Sequence, residues 1–221
     1  MRHTERRSVR ANRHTPTIAR ETLLREQGVW PVAGVDEAGR GALAGPVVAG
    51  AVVADWCLHL PWYNDVRDSK QLTASQRERL FEFIARDALA VGVGAAESEY
   101  IDSSGIVAAT RKAMYAALES LAVRPEFVLV DWMVLPRLRV PQEGVTKGDS
   151  RCLSIACASI VAKVTRDRIM AEMDHQQPGY GFARHKGYGT ADHLRLLAER
   201  GASPVHRLSF RPVRLAGGGL L

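Results

Sequence analysis

Two adjacent carboxylates, Asp36 and Glu37, run directly into a glycine loop with one fixed positive charge, Gly39-Arg40-Gly41. Acidic oxygens are hard ligands suited to Mg²⁺ or Mn²⁺. Backbone N–H groups freed by glycines, together with a guanidinium, suit phosphate oxygens. An enzyme acting on a phosphodiester needs both in one site. Taken alone, an Asp-Glu pair is most often a solvated turn. This pair instead follows apolar Trp30, Val32 and Val35 and precedes Pro46-Val-Val-Ala-Gly-Ala-Val-Val53, which reads as a buried strand. Polar groups between two buried strands are costly unless partnered.

Two more acids have related settings. Asp131 ends the apolar run Phe127 to Val130, and Asp149 precedes the stretch Leu153 to Met173, rich in alanine and β-branched residues. A helix N-terminus favours an acidic side chain by roughly 0.3–1 kcal/mol, so Asp149 by itself reads as a cap or first-turn residue. With Asp36, Glu37 and Asp131 it makes a fourth candidate for a two-metal site, which requires several clustered carboxylates to activate water and stabilise the leaving oxygen. Neighbouring strand residues point to opposite faces, so Asp36 and Glu37 converge only if the strand ends or bends there. Gly39 makes such a bend plausible.

The elements that must carry these residues follow from apolar periodicity and punctuation. Strands are expected at Trp30 to Ala38, Val47 to Ala54, Val91 to Ala96 and Phe127 to Val130. Helices are expected at Ile18 to Gln27, Thr73 to Leu89, Ile101 to Leu121, Leu153 to Met173 and Ala191 to Arg200, with Asp55 to Asp68 as a loop. The alternation indicates α/β with a mixed sheet. At 221 residues the chain suits one large domain. We expect a basic, flexible arm over 1–27, a catalytic domain over 28–213 and a Gly-rich tail over 214–221.

Hydrophobic residues make up 46% and charged residues 24%, an ordinary globular balance. No apolar run reaches membrane-spanning length, and the arginine-bearing N-terminus lacks the apolar core of a secretory signal, so a cytoplasmic location is the expectation. Cys57, Cys152 and Cys157 show no paired metal-ligand spacing and are expected as free thiols. A net charge of +6 suits a polyanionic partner without proving one. Much of that excess sits before Gly28.

Six segments together resemble the bacterial ribonuclease HII family: Val35 to Gly41, Asp68 to Leu72, Asp131, Lys147 to Asp149, Ser154 to Lys163 and His185 to Thr190. The resemblance covers most of residues 30 to 213. It implies a ribonuclease H-like mixed five-stranded sheet flanked by helices, with a helical C-terminal part. It also implies cleavage of RNA in RNA/DNA hybrids and incision 5′ of single ribonucleotides in duplex DNA, leaving 3′-hydroxyl and 5′-phosphate ends; a monomer is the expectation for the chain. By position, Asp36, Glu37, Asp131 and Asp149 match the family's metal-binding carboxylates, with Mn²⁺ or Mg²⁺ as a pair of ions. Gly39, Arg40 and Gly41 match the segment that reads the ribose 2′-OH and adjoining phosphate, and Tyr188 the tyrosine that packs on the next sugar. Ser69, Lys70 and Lys163 are expected near phosphate or behind the ligands. One departure is Ala42, where the family commonly has proline, and a less rigid loop is expected from it.

Another two-metal nuclease or transposase on the same fold would share the carboxylates but have no use for a 2′-OH reader. A non-enzymatic nucleic-acid-binding module would account for the charge but not for clustered acids, which repel phosphate unless a cation is present. A nucleoside-triphosphatase reading of the glycine loop fails, since no Gly-Lys-Ser/Thr follows it.

Overall fold

In a computed structural model, which describes residues 15–217, five strands form one mixed sheet. They are β1 (Val32–Ala38), β2 (Val47–Val53), β3 (Ala90–Ala96), β4 (Phe127–Asp131) and β5 (Gln142–Val145), in the order β3-β2-β1-β4-β5. Pairing is antiparallel on the β1-β2-β3 side and parallel for β1 with β4 and β4 with β5. The fifth strand of the expected five has no periodicity to locate it: Gln142-Glu-Gly-Val145 is four residues long and without apolar alternation, and its place is fixed by pairing with β4.

Helices close both faces. Helix α4 (Ile106–Glu119) lays Ala109, Ala113, Met114 and Ala117 on one face, against Val35, Val47, Ala49 and Val130. Helix α5 (Leu153–Gln176) and helix α2 (Ala74–Asp87) cover the other. Nearly the whole first half of α5 is buried, the mark of a central helix rather than a surface one. Gly34 and Gly50 allow its close approach, for a Cβ at Gly34 would lie 2.1 Å from the Ser154 carbonyl carbon. The expected helix from Ile101 to Leu121 is in fact two, α3 (Ser98–Ser104) and α4, because Gly105 at φ 81° breaks the backbone between them. The expected loop Asp55 to Asp68 carries short 3₁₀ turns that bury Trp56, Trp62 and Tyr63.

The ends of the folded body also differ from expectation. Helix α1 (Ala19–Glu26) docks on the body, and buried Glu21 accepts the Ser154 backbone N–H at 2.9 Å, satisfying a donor at the start of α5 that no local side chain caps. The folded part therefore begins well before Gly28. The arginines of the expected arm, Arg2, Arg6, Arg7, Arg10 and Arg13, lie outside the described residues. At the other end, α6 (Phe182–His185), α7 (Ala191–Arg200) and α8 (Arg211–Gly217) form the helical C-terminal part. Helix α8 runs four residues into the expected tail, anchored by Val213 against Leu43 and Leu197.

Candidate active site

The parallel register pairs Val35 with Val130, which sets Asp36 and Asp131 one step further along on neighbouring strands. Asp131 is the last residue of β4, but β1 continues, with Asp36 opposite Gly50 and Glu37 opposite Ala49 on β2. No bend at Gly39 is needed to bring the two acids together. The β1–β4 ladder ends at the Val35–Val130 pair, and beyond it side chains from both faces of β1 reach one cavity of about 290 Å³.

That cavity is lined by Asp36, Glu37, Asp131, Gly39, Arg40, Gly41, Ser69, Lys70, Lys163 and Tyr188. Asp149 is the one candidate set back from it. It lies in a 3₁₀ turn, Gly148–Ser150, and is reached through Lys70, whose Nζ is 3.4 Å from Asp149 Oδ2. The same turn donates the Gly148 N–H to Asp131 Oδ1 at 2.7 Å. A larger cavity, about 630 Å³ against α4, is lined by Tyr100, Arg111, Lys112, Tyr115 and Arg137, and it has no cluster of acids. Chemistry, not size, selects the smaller one.

Burial raises the carboxyl of Asp36 well above the usual range, and the like charges of Glu37 and Asp131 add to this. Hydrogen bonds from Ser159 and the Glu37 amide oppose it. Glu37 is raised by burial, against the pull of Trp132 and Arg40, and Asp131 is raised by burial against the Gly148 amide. Among the described residues no group of three His, Cys, Asp or Glu side chains is already drawn together as a metal cage. The carboxylates are occupied elsewhere: Asp131 by Gly148, Asp149 by Lys70, and Glu37 by the Trp132 indole N–H at 3.1 and 3.3 Å. Their chemistry nevertheless fits a hard divalent cation, because acids raised by burial, and further by one another's charge, are the groups that such a charge relieves.

The loop carrying Gly39, Arg40 and Gly41 is held from two sides by buried arginines that sequence reasoning missed. Arg166, on α5, donates to the carbonyls of Pro46, Ala44 and Lys186, and a Cβ on Gly39 would fall 2.0 Å from its Nε. Arg207 donates to the carbonyls of Arg40, Ala42 and Gly45 at 2.7–3.0 Å. Burial and the neighbouring Arg166 push Arg207 down to about 9, still charged at neutral pH. At Ala42, where a less rigid loop is expected, the backbone is held by contacts on both sides. Ala42 is buried, its amide donates to Gly39 O at 3.3 Å, and its carbonyl is clamped by Arg207. Nothing in the sequence singles out either arginine: Arg166 stands in the polar stretch Thr165-Arg-Asp-Arg168, and Arg207 carries no pattern of its own.

Tyr188 projects from a turn fixed by histidines. Its N–H donates to His185 O at 2.9 Å, its carbonyl accepts from His193 Nδ1 at 2.9 Å, and His193 Nε2 meets His206 Nε2 at 3.0 Å. The ring stays partly exposed, with the Arg166 guanidinium 5.4 Å and Lys163 Nζ 5.8 Å from its centre. Lys163 itself is paired with Asp167 at 2.6 Å. Ser69 is buried and bonds Ser159 Oγ at 2.9 Å, which places it behind Asp36 rather than in the open. All three cysteines are free, and no helix among the described residues is long and apolar enough to cross a membrane.

Residues 33–213 match the family model for ribonuclease HII. The chain is 53% identical over 199 residues to a ribonuclease HII of Dehalococcoides mccartyi, covering 90% of this chain and 94% of that one. It is 54% identical to a ribonuclease HII of Geobacter metallireducens, covering 88% and 90%. The crystal structure of ribonuclease H2 from Pyrococcus horikoshii superposes with a TM-score of 0.74 at 29% identity, over 85% of this chain and 97% of that one. Agreement in sequence over nearly the full length of these relatives, and in fold with the last, means that the chain belongs to the ribonuclease HII family.

Proposed function

We propose that this ribonuclease hydrolyses the phosphodiester of RNA in RNA/DNA hybrids and incises on the 5′ side of a single ribonucleotide in duplex DNA. The observation that carries this reading is one cavity shared by the raised carboxylates Asp36, Glu37 and Asp131 and the glycine loop beside Tyr188. A deoxyribonuclease has no use for that loop. The 2′-OH is what separates RNA from DNA at one nucleotide. At Gly41 a Cβ would meet nothing within 4 Å, so the backbone here faces open space into which a ribose can come.

Asp36, Glu37, Asp131 and Asp149 would hold a pair of Mg²⁺ or Mn²⁺ ions, which supply an activated water and charge stabilisation for the leaving oxygen. Lys70, 3.4 Å from Asp149, holds that carboxylate's charge where the ions would otherwise sit. Arg40, which lines the same cavity, would bind the adjoining phosphate. Gly39 and Gly41 present backbone groups to the 2′-OH, and the Tyr188 ring packs on the neighbouring sugar. Lys163 supports the ring and backbone phosphate, and Ser69 orients the acids through Ser159. Water oxygen attacks phosphorus, the bond to O3′ breaks, and the products carry a 3′-hydroxyl and a 5′-phosphate. The same reading has the protein act as a monomer in the cytoplasm, where its nucleic-acid substrate lies.

The test uses duplex DNA with one ribonucleotide, with and without Mg²⁺ or Mn²⁺, beside an all-DNA control. Incision 5′ of the ribonucleotide, dependent on the ion and absent from the control, supports the reading. Equal cutting of the control would overturn it. In the same assay Tyr188→Ala should slow the single-ribonucleotide substrate more than a continuous hybrid, since one ribose allows one productive pose.

A further inference from the structure

Trp132 directly follows Asp131 and takes a left-handed backbone, φ 48°, which bulky residues rarely adopt. Its N–H pairs with Val145 O at 3.0 Å, while the next amide, Met133, turns back onto Asp131 O at 2.6 Å. This tight turn at the end of β4 returns the indole to the end of the sheet where Glu37 lies. There it makes contacts with both its edge and its face. The Nε1–H is shared between Glu37 Oε1 and Oε2 at 3.1 and 3.3 Å, and the Arg40 guanidinium lies 4.2 Å from the ring centre. Arg40 Nη1 is in turn 3.5 Å from Glu37 Oε1. Three side chains thus close a triangle of carboxylate, indole and guanidinium.

An exposed tryptophan is costly to maintain and is more often buried for its apolar area. Trp132 remains 38% exposed and carries a rare backbone conformation, so packing does not account for its placement. Its contacts do. An indole N–H is neutral, so it fixes the rotation of the Glu37 carboxylate without cancelling the charge that a cation needs. Partners of this kind orient ligating carboxylates in metal sites. Without it, Glu37 would be left to Arg40, a cation that competes for the same oxygens. The face of the ring at the same time holds Arg40 beside the loop, where it also touches Glu37 Oε1.

We propose that Trp132 is a positioning residue that orients Glu37 for a divalent cation and Arg40 for the substrate phosphate. This rests on the reading of Glu37 as a metal ligand. Trp132→Phe removes the N–H and keeps the face, whereas Trp132→Ala removes both. Mg²⁺ binding is measured by calorimetry on the whole protein without nucleic acid, after thermal melts show each variant folded. KM for the single-ribonucleotide duplex is measured at saturating Mg²⁺.

The expected result for Trp132→Phe is Mg²⁺ affinity weakened about 10-fold, with KM changed by less than about 2-fold. Trp132→Ala should show the same loss of Mg²⁺ affinity and a KM higher by about 5-fold, from the lost cation–π contact. Mg²⁺ should also change indole emission in the wild type and not in Trp132→Phe, which retains Trp30, Trp56 and Trp62. Unchanged Mg²⁺ affinity in folded Trp132→Phe, while Asp36→Asn and Glu37→Gln both weaken it, would overturn the role of Trp132 and leave the acid site standing. If neither carboxylate variant weakens Mg²⁺ binding, the site reading itself falls and Trp132 with it. Equal KM for the Phe and Ala variants would remove the Arg40 half of the proposal.

Discussion

Two regions of the site are built on opposite electrostatic principles. At the end of the sheet, Asp36, Glu37 and Asp131 are like charges crowded into a buried place, each held above its usual range. Across the cavity, the glycine loop and the Tyr188 turn are held by buried Arg166, Arg207, His185 and His193, which meet backbone partners and, for His193 Nε2, the His206 ring. The first region is electrostatically incomplete and the second is satisfied. Differential stabilisation of a transition state requires both kinds of device: charge that is relieved only when the reacting assembly is complete, and a reader fixed beforehand. The regions also respond to pH in opposite senses. Carboxyls raised on folding contribute stability at low pH that is lost as pH rises through their folded values, whereas histidines lowered on folding contribute stability at high pH that is lost on acidification.

The sharpest way to break this comparison is Asp36→Asn. Cleavage should fall by more than the ~10–100-fold typical of losing an outer partner of a metal ligand, while the melting temperature at pH 8 in the absence of metal holds or rises, because one of the crowded charges is gone. A near-normal rate in the folded variant would remove Asp36 from the centre of the site.

Arg207→Ala tests the other region and should do the reverse, damaging stability first. It strands the carbonyls of Arg40, Ala42 and Gly45, and we expect a loss of about 3–5 kcal/mol in denaturant unfolding. Arg207→Lys should restore little of it, since one ammonium cannot reproduce a planar fork that meets three carbonyls. Full recovery with lysine would show that charge, not geometry, holds the loop.

The pH response sharpens the contrast further. His206 is pushed down to about 4 by burial and by His193, against an ordinary value of 6.5. Its proton is bound first in the unfolded chain, so stability is full above about pH 6.5 and declines as pH falls toward 4, by up to roughly 3 kcal/mol. Urea midpoints between pH 7 and pH 4.5 should fall in the wild type and show a flatter trend in His206→Gln. An unchanged slope in that variant would place the acid sensitivity elsewhere.

The smallest effect separates two glycines of one loop. Gly39→Ala drives a Cβ into Arg166 at a φ of 93° and should destabilise the fold by about 1–3 kcal/mol. Gly41→Ala points a methyl into open space and should change stability by less than about 0.5 kcal/mol. Any loss of activity in Gly41→Ala would then report on substrate approach alone. Equal melting temperatures for the two variants would mean that Arg166 yields to the added methyl.

Much of this site was legible in the sequence because its chemistry is local. Asp36, Glu37, Gly39, Arg40 and Gly41 are consecutive or nearly so and Asp131 ends an apolar run, so residue types and spacing mark them as candidates without a fold, whereas Tyr188 is marked only by the family resemblance. The order of strands and helices follows from periodicity in the same way, because burying one face is a repeating local constraint. Tertiary structure alone decided what depends on partners distant along the chain. Strand β5 exists because β4 offers it an edge, and the start of α5 is capped by Glu21, 133 residues away. The acids converge because β1 outruns β4, not because a glycine bends it. Arg207 has no sequence signal until the loop 165 residues earlier folds against it, and Trp132 has none until its turn brings it over Glu37. Sequence displays the groups that can do chemistry, but which groups hold them in place depends on long-range packing that no local pattern encodes.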